Sequence, residues 1–373
     1  MNDHVTMTGA RATAGRDAGA RVLLAAERVG HVRDAYRRLL RRRVSILAVL
    51  GILILGSVVL DFALGPSGMS PATLLRILLH PHDGPAGQSV IVWQIRLPYA
   101  LMAVCVGAAL GLSGAEMQTI LNNPLASPFT LGVSAAAAFG ASLAIVLQWQ
   151  IPGVPAEWVV SADAFAFAIA SAFLLDLVSR LRDASTSTVV LFGIALVFTF
   201  HALVSLVQFV ASEDALQDLV FWTMGSLTRA NWSKLGILAT ACAVILPLSF
   251  RASWSLTALR MGEERAASFG IDVRRVRIMA LLRISVLSAL AVSFVGTIGF
   301  VGLVAPHIAR RLLGEDHRFY LPGSVLVGCL IMSLSAVAAR TVLPGVIVPV
   351  GIVTALVGIP FFLAIVLRRQ VAS

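Results

Sequence analysis

Long apolar runs separated by short polar segments dominate this chain of 373 residues. Ten runs can be delimited: 44–64, 97–117, 128–147, 158–179, 188–210, 233–250, 278–297, 299–313, 320–340 and 346–367. About 20 apolar residues in an α-helix cross a hydrocarbon core of roughly 30 Å. The pattern therefore predicts an all-α polytopic membrane protein with about ten transmembrane helices. A soluble all-α protein would need polar outer faces that these runs lack.

The charged residues lie mainly between the runs. The formal net charge is +10, Lys234 is the only lysine, and ten arginines precede the first run. If the N-terminus is cytoplasmic, the cytoplasmic segments are 1–43, 118–127, 180–187, 251–277, 314–319 and 368–373. The outer segments and outer span ends then hold few basic residues, namely Arg76, Arg96, Arg229, Lys234 and Arg340. This asymmetry follows the positive-inside rule and predicts a multi-pass inner-membrane protein with both termini cytoplasmic. The net charge then needs no nucleic-acid partner.

Two segments outside the spans have helical signals of their own. Residues 21–43 place apolar side chains near helical spacing between arginines, which predicts an amphipathic helix on an anionic leaflet. The same arginines also fit a solvated tail that only sets topology. The chain therefore divides into a basic extension, 1–43, and a membrane domain, 44–369. Outside the membrane, Ser70-Pro71 predicts the start of a short periplasmic helix.

Signatures of catalysis and of metal binding are missing from the sequence. A phosphate-binding loop needs G-x-x-x-x-G-K-[ST], yet Lys234 follows Asn-Trp-Ser. No HExxH, GxSxG or paired-carboxylate pattern occurs, and the three cysteines all fall within apolar runs. We therefore expect no catalytic residue, no metal site and no cofactor bound by this chain.

A charged insert, RMGEERAASFGIDVRRVR at 260–277, separates two membrane-length runs. Residues 258–269 favour a helix that Gly270 can end in a left-handed conformation. Asp272 can cap a second short helix, and together the two would form a knob below the membrane. A knob of this kind fits a groove on a partner, although an ordinary charged loop that sets topology fits the composition too.

Small residues recur where helices could approach closely. Gly107 and Gly111 are four residues apart, and Gly296, Gly299 and Gly302 are spaced by three. Small side chains let helix backbones pack closely in a membrane. The spacing predicts tight helix contacts at these positions.

Polar residues within or beside the spans are candidates for a transport path. His201 falls in mid-span, where it could line a path or ligate haem iron, or simply form a hydrogen bond within the bundle. Gln118, Asn122 and Asn123 precede Pro124 and could shape an inner gate. Glu116 and Arg283 lie near cytoplasmic span ends, where their charges can reach the interface.

Six stretches in order carry a family resemblance. They are VWQIRLPYALMAVCVGAALGLSGAEMQ, NNPLASPFTLGVSAAAAFGAS, FWTMGSL, ALRMGEERAASFGIDVRRVR, GTIGFVGLVAPHIARRLLGEDHR and PVGIVTALVGIPFF. Over residues 60–369 the chain resembles the FecCD-type permeases of type II ABC importers for ferric siderophores, haem and cobalamin. The resemblance implies ten helices and a second copy or related permease. It also implies two separate ATPase subunits that hold ATP and Mg, and a periplasmic substrate-binding protein.

The resemblance also assigns roles to residues. The segment matching 258–272, within the loop 258–277, is the coupling helix that docks on the ATPase. Its predicted docking residues are Arg260, Glu263, Glu264, Ala267 and Gly270. Arg96 and Arg340 match arginines that pair with glutamates of the binding protein. Without the resemblance, both would be read as anchors of helix ends.

Three departures from the family pattern qualify this transfer. Tyr99 stands where members often carry another arginine, while Ala336 and Ile347 replace acidic residues. Arg340 is therefore expected to lack local acidic partners, which would leave it free for an outside carboxylate or give it a different role.

The resemblance implies the permease subunit of an ATP-driven importer, with no ATPase site of its own. PFTLGVS and PGVIVPVGI resemble siderophore-type members, so a ferric siderophore is the expected cargo, with haem or cobalamin as alternatives. An ATP-independent secondary transporter would show inverted repeats, which are not evident, and mid-span acidic residues, which are scarce. An intramembrane enzyme lacks a catalytic set.

Overall fold

The computed structural model describes the backbone of residues 3–64, 69–81, 85–180, 186–343 and 345–371. Side chains are described for 33–64, 69–70, 72–81, 85, 87–178, 187–343, 345–364 and 367. The predicted amphipathic helix therefore lies partly outside the described side chains and stays a prediction. The chain forms two compact units, Met1–Ala48 and Val49–Ser373. The second unit contains the core and the sites considered below.

Helices make up the described part of the chain, joined by turns and short loops. The first eight are α1 (Asp3–Ala63), α2 (Pro71–Leu79), α3 (Ala86–Val90), α4 (Leu97–Ile120), α5 (Val133–Val146), α6 (Ala156–Arg180), α7 (Thr186–Phe209) and α8 (Glu213–Thr223). The others are α9 (Trp232–Arg251), α10 (Ser253–Arg260), α11 (Glu263–Ser268), α12 (Val273–Val295), α13 (Val301–Leu313), α14 (His317–Thr341) and α15 (Val350–Val371). A π-helical turn, Ile91–Arg96, joins α3 to α4, and a 3₁₀ turn spans Leu227–Arg229.

Each of the ten predicted spans coincides with a helix, so the all-α membrane fold is confirmed. Among the described residues, seven helices are long and apolar enough to cross a membrane. Two spans are shorter than predicted: α5 has 14 residues and α13 has 13. At 1.5 Å per residue each covers only about 20 Å, so turns such as 128–132 complete the predicted runs.

Helix α4 lies at the centre of the bundle and packs most extensively against α14. A Cβ added to Gly107 would lie 2.4 Å from the carbonyl oxygen of Gly328, and one on Gly111 would lie 2.4 Å from that of Ser324. A Cβ on Gly114 would lie 1.7 Å from the carbonyl oxygen of Gly302 in α13. The predicted close packing at Gly107, Gly111 and Gly302 is confirmed, and α4 touches two helices through bare backbone.

The outer segments contain one predicted helix, α2, and two that were not predicted, α3 and α8. Ser70 caps α2 by accepting a hydrogen bond from the Thr73 N–H at 3.2 Å, as the Ser-Pro pair predicted. Helix α8 was not predicted because it follows a long apolar run directly and its own residues mix acidic and apolar side chains. Ser212 caps α8 by accepting a hydrogen bond from the Ala215 N–H.

Candidate functional site

The insert at 260–277 folds as a knob, but its helices differ from the prediction. The helix breaks at Gly262, whose φ is +113°, and so α10 and α11 replace the continuous helix expected over 258–269. Gly270 adopts a φ of +78° and ends α11, as predicted. Asp272 accepts a hydrogen bond from the Arg275 N–H, but the helix that it caps is the long span α12. The second short helix was therefore a wrong prediction, because its pattern continues unbroken into the span.

The knob exposes most of the predicted docking residues. Glu264, Ala267 and Gly270 are exposed, while Ala266 is buried, and α11 packs against α10 and α12. Glu263 is exposed as well and forms an ion pair with Arg277. These side chains are therefore accessible from outside the chain, and a docking role for them stays a prediction.

Arg260 is the exception among the predicted docking residues. Its side chain is 17% exposed, donates a hydrogen bond to the Asn122 Oδ1, and lies 3.3 Å from a carboxylate oxygen of Glu315. This contact joins three segments that the charge pattern placed in the cytoplasm, 118–127, 251–277 and 314–319. The fold therefore brings together at one end of the bundle the segments that the charge pattern predicted to be cytoplasmic.

The predicted gate residues are parts of this inner network. Gln118 is fully buried, donates to the carbonyl oxygen of Leu303 at 3.3 Å and accepts from Arg310 at 3.3 Å. Asn122 has a φ of +43°, and the Oδ1 of Asn123 accepts from the Leu125 N–H at 2.9 Å. These side chains shape a turn at the end of α4, and a gating role for them stays a prediction.

A buried ion pair lies deeper in the bundle. The Arg283 Nε donates to both carboxylate oxygens of Glu116 at 3.0 and 3.1 Å, and Glu116 is 0% exposed. The sequence suggested that each charge reaches the membrane interface on its own. The structure instead joins α4 to α12 through this pair, which compensates two charges that would each be costly in lipid.

Both outer arginines are buried against the C-terminus of α1. Arg96 is 3% exposed and donates to the carbonyl oxygen of Phe62 at 2.8 Å. The Arg340 side chain is also 3% exposed and donates to the carbonyl oxygens of Asp61 at 2.9 Å and Leu64 at 3.3 Å. The last carbonyls of a helix lack partners within it, and guanidinium groups satisfy them while meeting the negative end of the helix dipole.

Arg340 has the local partners that it was expected to lack. Its guanidinium lies 3.6 Å from a carboxylate oxygen of Asp61, which is 0% exposed. It also stacks over the Tyr99 ring, with Cζ 3.8 Å from the ring centroid. The expectation of a freer Arg340 was wrong because its acidic partner comes from the first span rather than from α14. The sequence offered one signal, an aspartate at the outer end of an otherwise apolar run.

A charged cavity of about 260 Å³ lies beside α8 at the outer end. Lys234 is 2% exposed and forms a 2.8 Å ion pair with Glu157, and its Nζ lies 5.8 Å from the centre of the Trp158 ring. Arg229 also lines the cavity, and burial lowers the pKa of its guanidinium while Asp218 partly opposes the shift. The arginine and lysine predicted at this outer end thus share one cavity.

His201 lines a second cavity, of about 280 Å³, between α5 and α7. Most of its other polar lining carries hydroxyl or amide groups and comes from Ser134, Ser205, Gln208, Thr223 and Thr297. Neutral donors and acceptors of this kind can hold an oxygen-rich solute without fixing it by charge. Among the described residues, no cluster of His, Cys, Asp or Glu could hold a metal ion.

The fold and these sites define a polytopic membrane permease with an exposed knob between α9 and α12. The sequence profile of the FecCD transport family matches residues 52–368, and the chain belongs to this family. The chain is 35% identical to the hemin transport system permease protein HmuU of Yersinia pestis over 326 residues, 86% of this chain and 96% of that protein. It is 34% identical to the vitamin B12 import system permease protein BtuC of Salmonella typhi over 329 residues, 88% and 96% respectively.

A solved structure extends the likeness to three dimensions. This is an ABC transporter assigned to the metal-chelate type in an inward-facing conformation, 33% identical, with a TM-score of 0.75. It covers 87% of this chain, and 99% of the solved chain is matched. The chain is therefore a multi-pass inner-membrane permease subunit of the type II ABC importer family. In this family the ATPase belongs to separate subunits, which excludes the enzyme and secondary-transporter alternatives.

Proposed function

We propose that this chain carries an iron chelate, a ferric siderophore, into the cytoplasm by alternating access. It works with a second copy or a related permease, with two ATPase subunits that hold ATP and Mg, and with a periplasmic binding protein. The chain itself supplies the path and the contacts, and ATP is hydrolysed by its partners.

The observation that carries the proposal is the exposed knob of α10 and α11. Exposed Glu264, Ala267 and Gly270 offer a surface to an ATPase subunit, while buried Ala266 ties the knob to the bundle. Two left-handed glycines, Gly262 and Gly270, fix its shape. A force on the knob can therefore be transmitted directly to the membrane helices. A flexible loop would first have to be ordered, at a cost in conformational entropy.

Docking of the binding protein involves Arg96 and Arg340 in this proposal. Both guanidinium groups are held by carbonyl oxygens of α1, so glutamates of the binding protein would have to replace or extend those contacts. Arginine suits this exchange because its planar fork binds a carboxylate through two parallel hydrogen bonds. Docking is then linked to a change at the outer end of the first span.

The iron-chelate assignment is supported by the solved relative of metal-chelate type and by the siderophore-like stretches of sequence. The cavity beside His201 adds neutral hydroxyl and amide groups that could contact part of an oxygen-rich chelate. A weakly held cargo can also leave, as transport requires. Haem is the second candidate, because His201 offers an imidazole and the hemin permease is 35% identical.

Uptake by a deletion strain tests the cargo. Radiolabelled ferric siderophores, haemin and cobalamin are supplied under iron starvation, with and without the restored gene. Loss of one ferric siderophore alone supports the proposal. Loss of haemin or cobalamin alone keeps the importer and overturns the siderophore assignment. For haemin, a His201→Ala variant then shows whether the imidazole contributes.

A further inference from the structure

A buried histidine connects the knob to the bundle at the inner end. His317 is 1% exposed, and its Nε2 lies 2.8 Å from the hydroxyl of Thr119. Its Nδ1 lies 3.1 Å from the hydroxyl of Thr257, which also accepts a hydrogen bond from the His317 backbone N–H at 3.1 Å. One side chain of α14 thus joins α10 to the end of α4.

The number of available protons restricts the hydrogen bonds that the His317 ring can form with the two threonines. The Thr257 hydroxyl lies 2.8 Å from the Ser253 carbonyl oxygen, and the Thr119 hydroxyl lies 2.8 Å from that of Ala115. A neutral imidazole has one N–H, so if both hydroxyls donated to their helix carbonyls one ring nitrogen would lack a proton partner. One threonine must therefore donate to the ring, and the joint has two arrangements that differ in which hydroxyl does so.

Helix α14, which carries His317, and helix α4 form a pair held by backbone contact. A Cβ on Gly328 would lie 2.2 Å from the Gly107 carbonyl oxygen, so these helices approach too closely to slide freely. Helix α4 has 24 residues and is about 36 Å long. At the inner end of this pair lie Thr119 and His317. At its outer end lie Arg96 and Arg340, beside the outer end of α1.

We propose that His317 is a positioning residue that fastens the knob to the inner end of this α4/α14 pair. Movement of the knob then reaches the outer arginines through the pair. This inference rests on the proposed function, because it assumes that an ATPase subunit moves the knob. It adds the contact by which that movement enters the membrane helices.

The test uses the complete transporter in liposomes, with its ATPase subunits and its binding protein. The variants are Thr257→Val, which removes the hydroxyl at nearly constant shape, and Thr257→Ser, which keeps it. Three readouts are compared: co-purification of the ATPase subunit, basal ATP hydrolysis, and the change in hydrolysis when the binding protein is added. Thr119→Val provides a second variant on the other side of the ring.

We expect Thr257→Val to retain co-purification and basal hydrolysis, while the response to the binding protein falls about tenfold or more, because the ring and the backbone N–H of His317 both lose the Thr257 hydroxyl. Thr257→Ser should restore the response, and Thr119→Val should reduce it in the same way. A wild-type response in both valine variants would overturn the role of His317. Failure of the wild-type chain to co-purify with any ATPase subunit would overturn the proposed function itself, which is a distinct result.

Discussion

The charged residues singled out at the two ends of the membrane domain differ in their exposure to solvent. At the inner face, Glu264 and its neighbours on α11 are exposed on a knob of fixed shape. At the outer face, Arg96 and Arg340 are buried against the end of α1. The charged side chains of the knob are thus accessible, while the outer arginines already have internal partners. The docking proposed for the outer face would therefore compete with existing contacts, which makes it easier to reverse.

Both faces depend on the close packing of α4, and breaking that packing should have the largest effect. In Gly114→Ala the new methyl group would meet the backbone of Gly302, which cannot rotate away. Overpacking costs about 1–3 kcal/mol even where side chains can shift, and here we expect more. Size-exclusion chromatography in detergent should recover almost no folded protein.

Gly236→Ala is the matched control for this change. A Cβ at Gly236 meets no atom within 4 Å, and alanine favours a helix by up to about 1 kcal/mol. That variant should be as stable as the wild type or slightly more stable. Normal yield of Gly114→Ala would contradict the close contact between α4 and α13.

The next largest effect is expected from Arg340→Met, which removes the contacts of Arg340 with Asp61 and the end of α1. The substitution keeps an unbranched apolar side chain but leaves the buried Asp61 carboxylate without its 3.6 Å partner. Removing one member of a buried ion pair costs about 3–5 kcal/mol. Thermal unfolding in detergent should show a clear loss, which Asp61→Asn in the same chain should partly reverse. Arg76→Met, at an exposed site on α2, should change little, and equal effects at both sites would mean that Arg340 is not locked.

The smallest effect on stability is expected at the knob. Glu264→Arg reverses an exposed charge, and such surface changes usually stay within about 0.5 kcal/mol. Contact with the ATPase subunit should nevertheless fail. The arginine side chain places a positive charge where the partner met a carboxylate, and any hydrogen bond that the Glu264 carboxylate accepted is lost. Co-purification should fall sharply while the melting temperature is unchanged. A parallel loss of stability would indicate a structural role instead.

The same contrast shows what the sequence could and could not predict. The spans, the left-handed Gly270 and the capping Asp272 follow from local patterns, and each is found in the structure. The break at Gly262 was missed because the neighbouring residues favour a helix on both sides.

Contacts between distant residues were beyond the sequence pattern. Asp61 and Arg340 are 279 positions apart, and nothing local to either predicts their pairing. Glu116 and Arg283 were treated singly for the same reason, although each is a charge at a span end. His317 was missed entirely, since it looks like a surface residue in GEDHRF until α10 folds over it.

The most direct test of the central claim compares two exposed glycines. Gly270 lies at the end of the knob with a φ of +78°, and Gly153 lies in an outer turn with a φ of +80°; an added Cβ meets no atom at either. Proline fits neither conformation, so Gly270→Pro and Gly153→Pro both strain the local backbone, and Gly270→Pro also removes the hydrogen bond from the Gly270 N–H to the Ala267 carbonyl oxygen. ATP-driven uptake of the cognate chelate is measured in a deletion strain carrying each variant at equal membrane levels. We predict that Gly270→Pro abolishes uptake while Gly153→Pro retains it; full uptake with Gly270→Pro would contradict coupling through the knob.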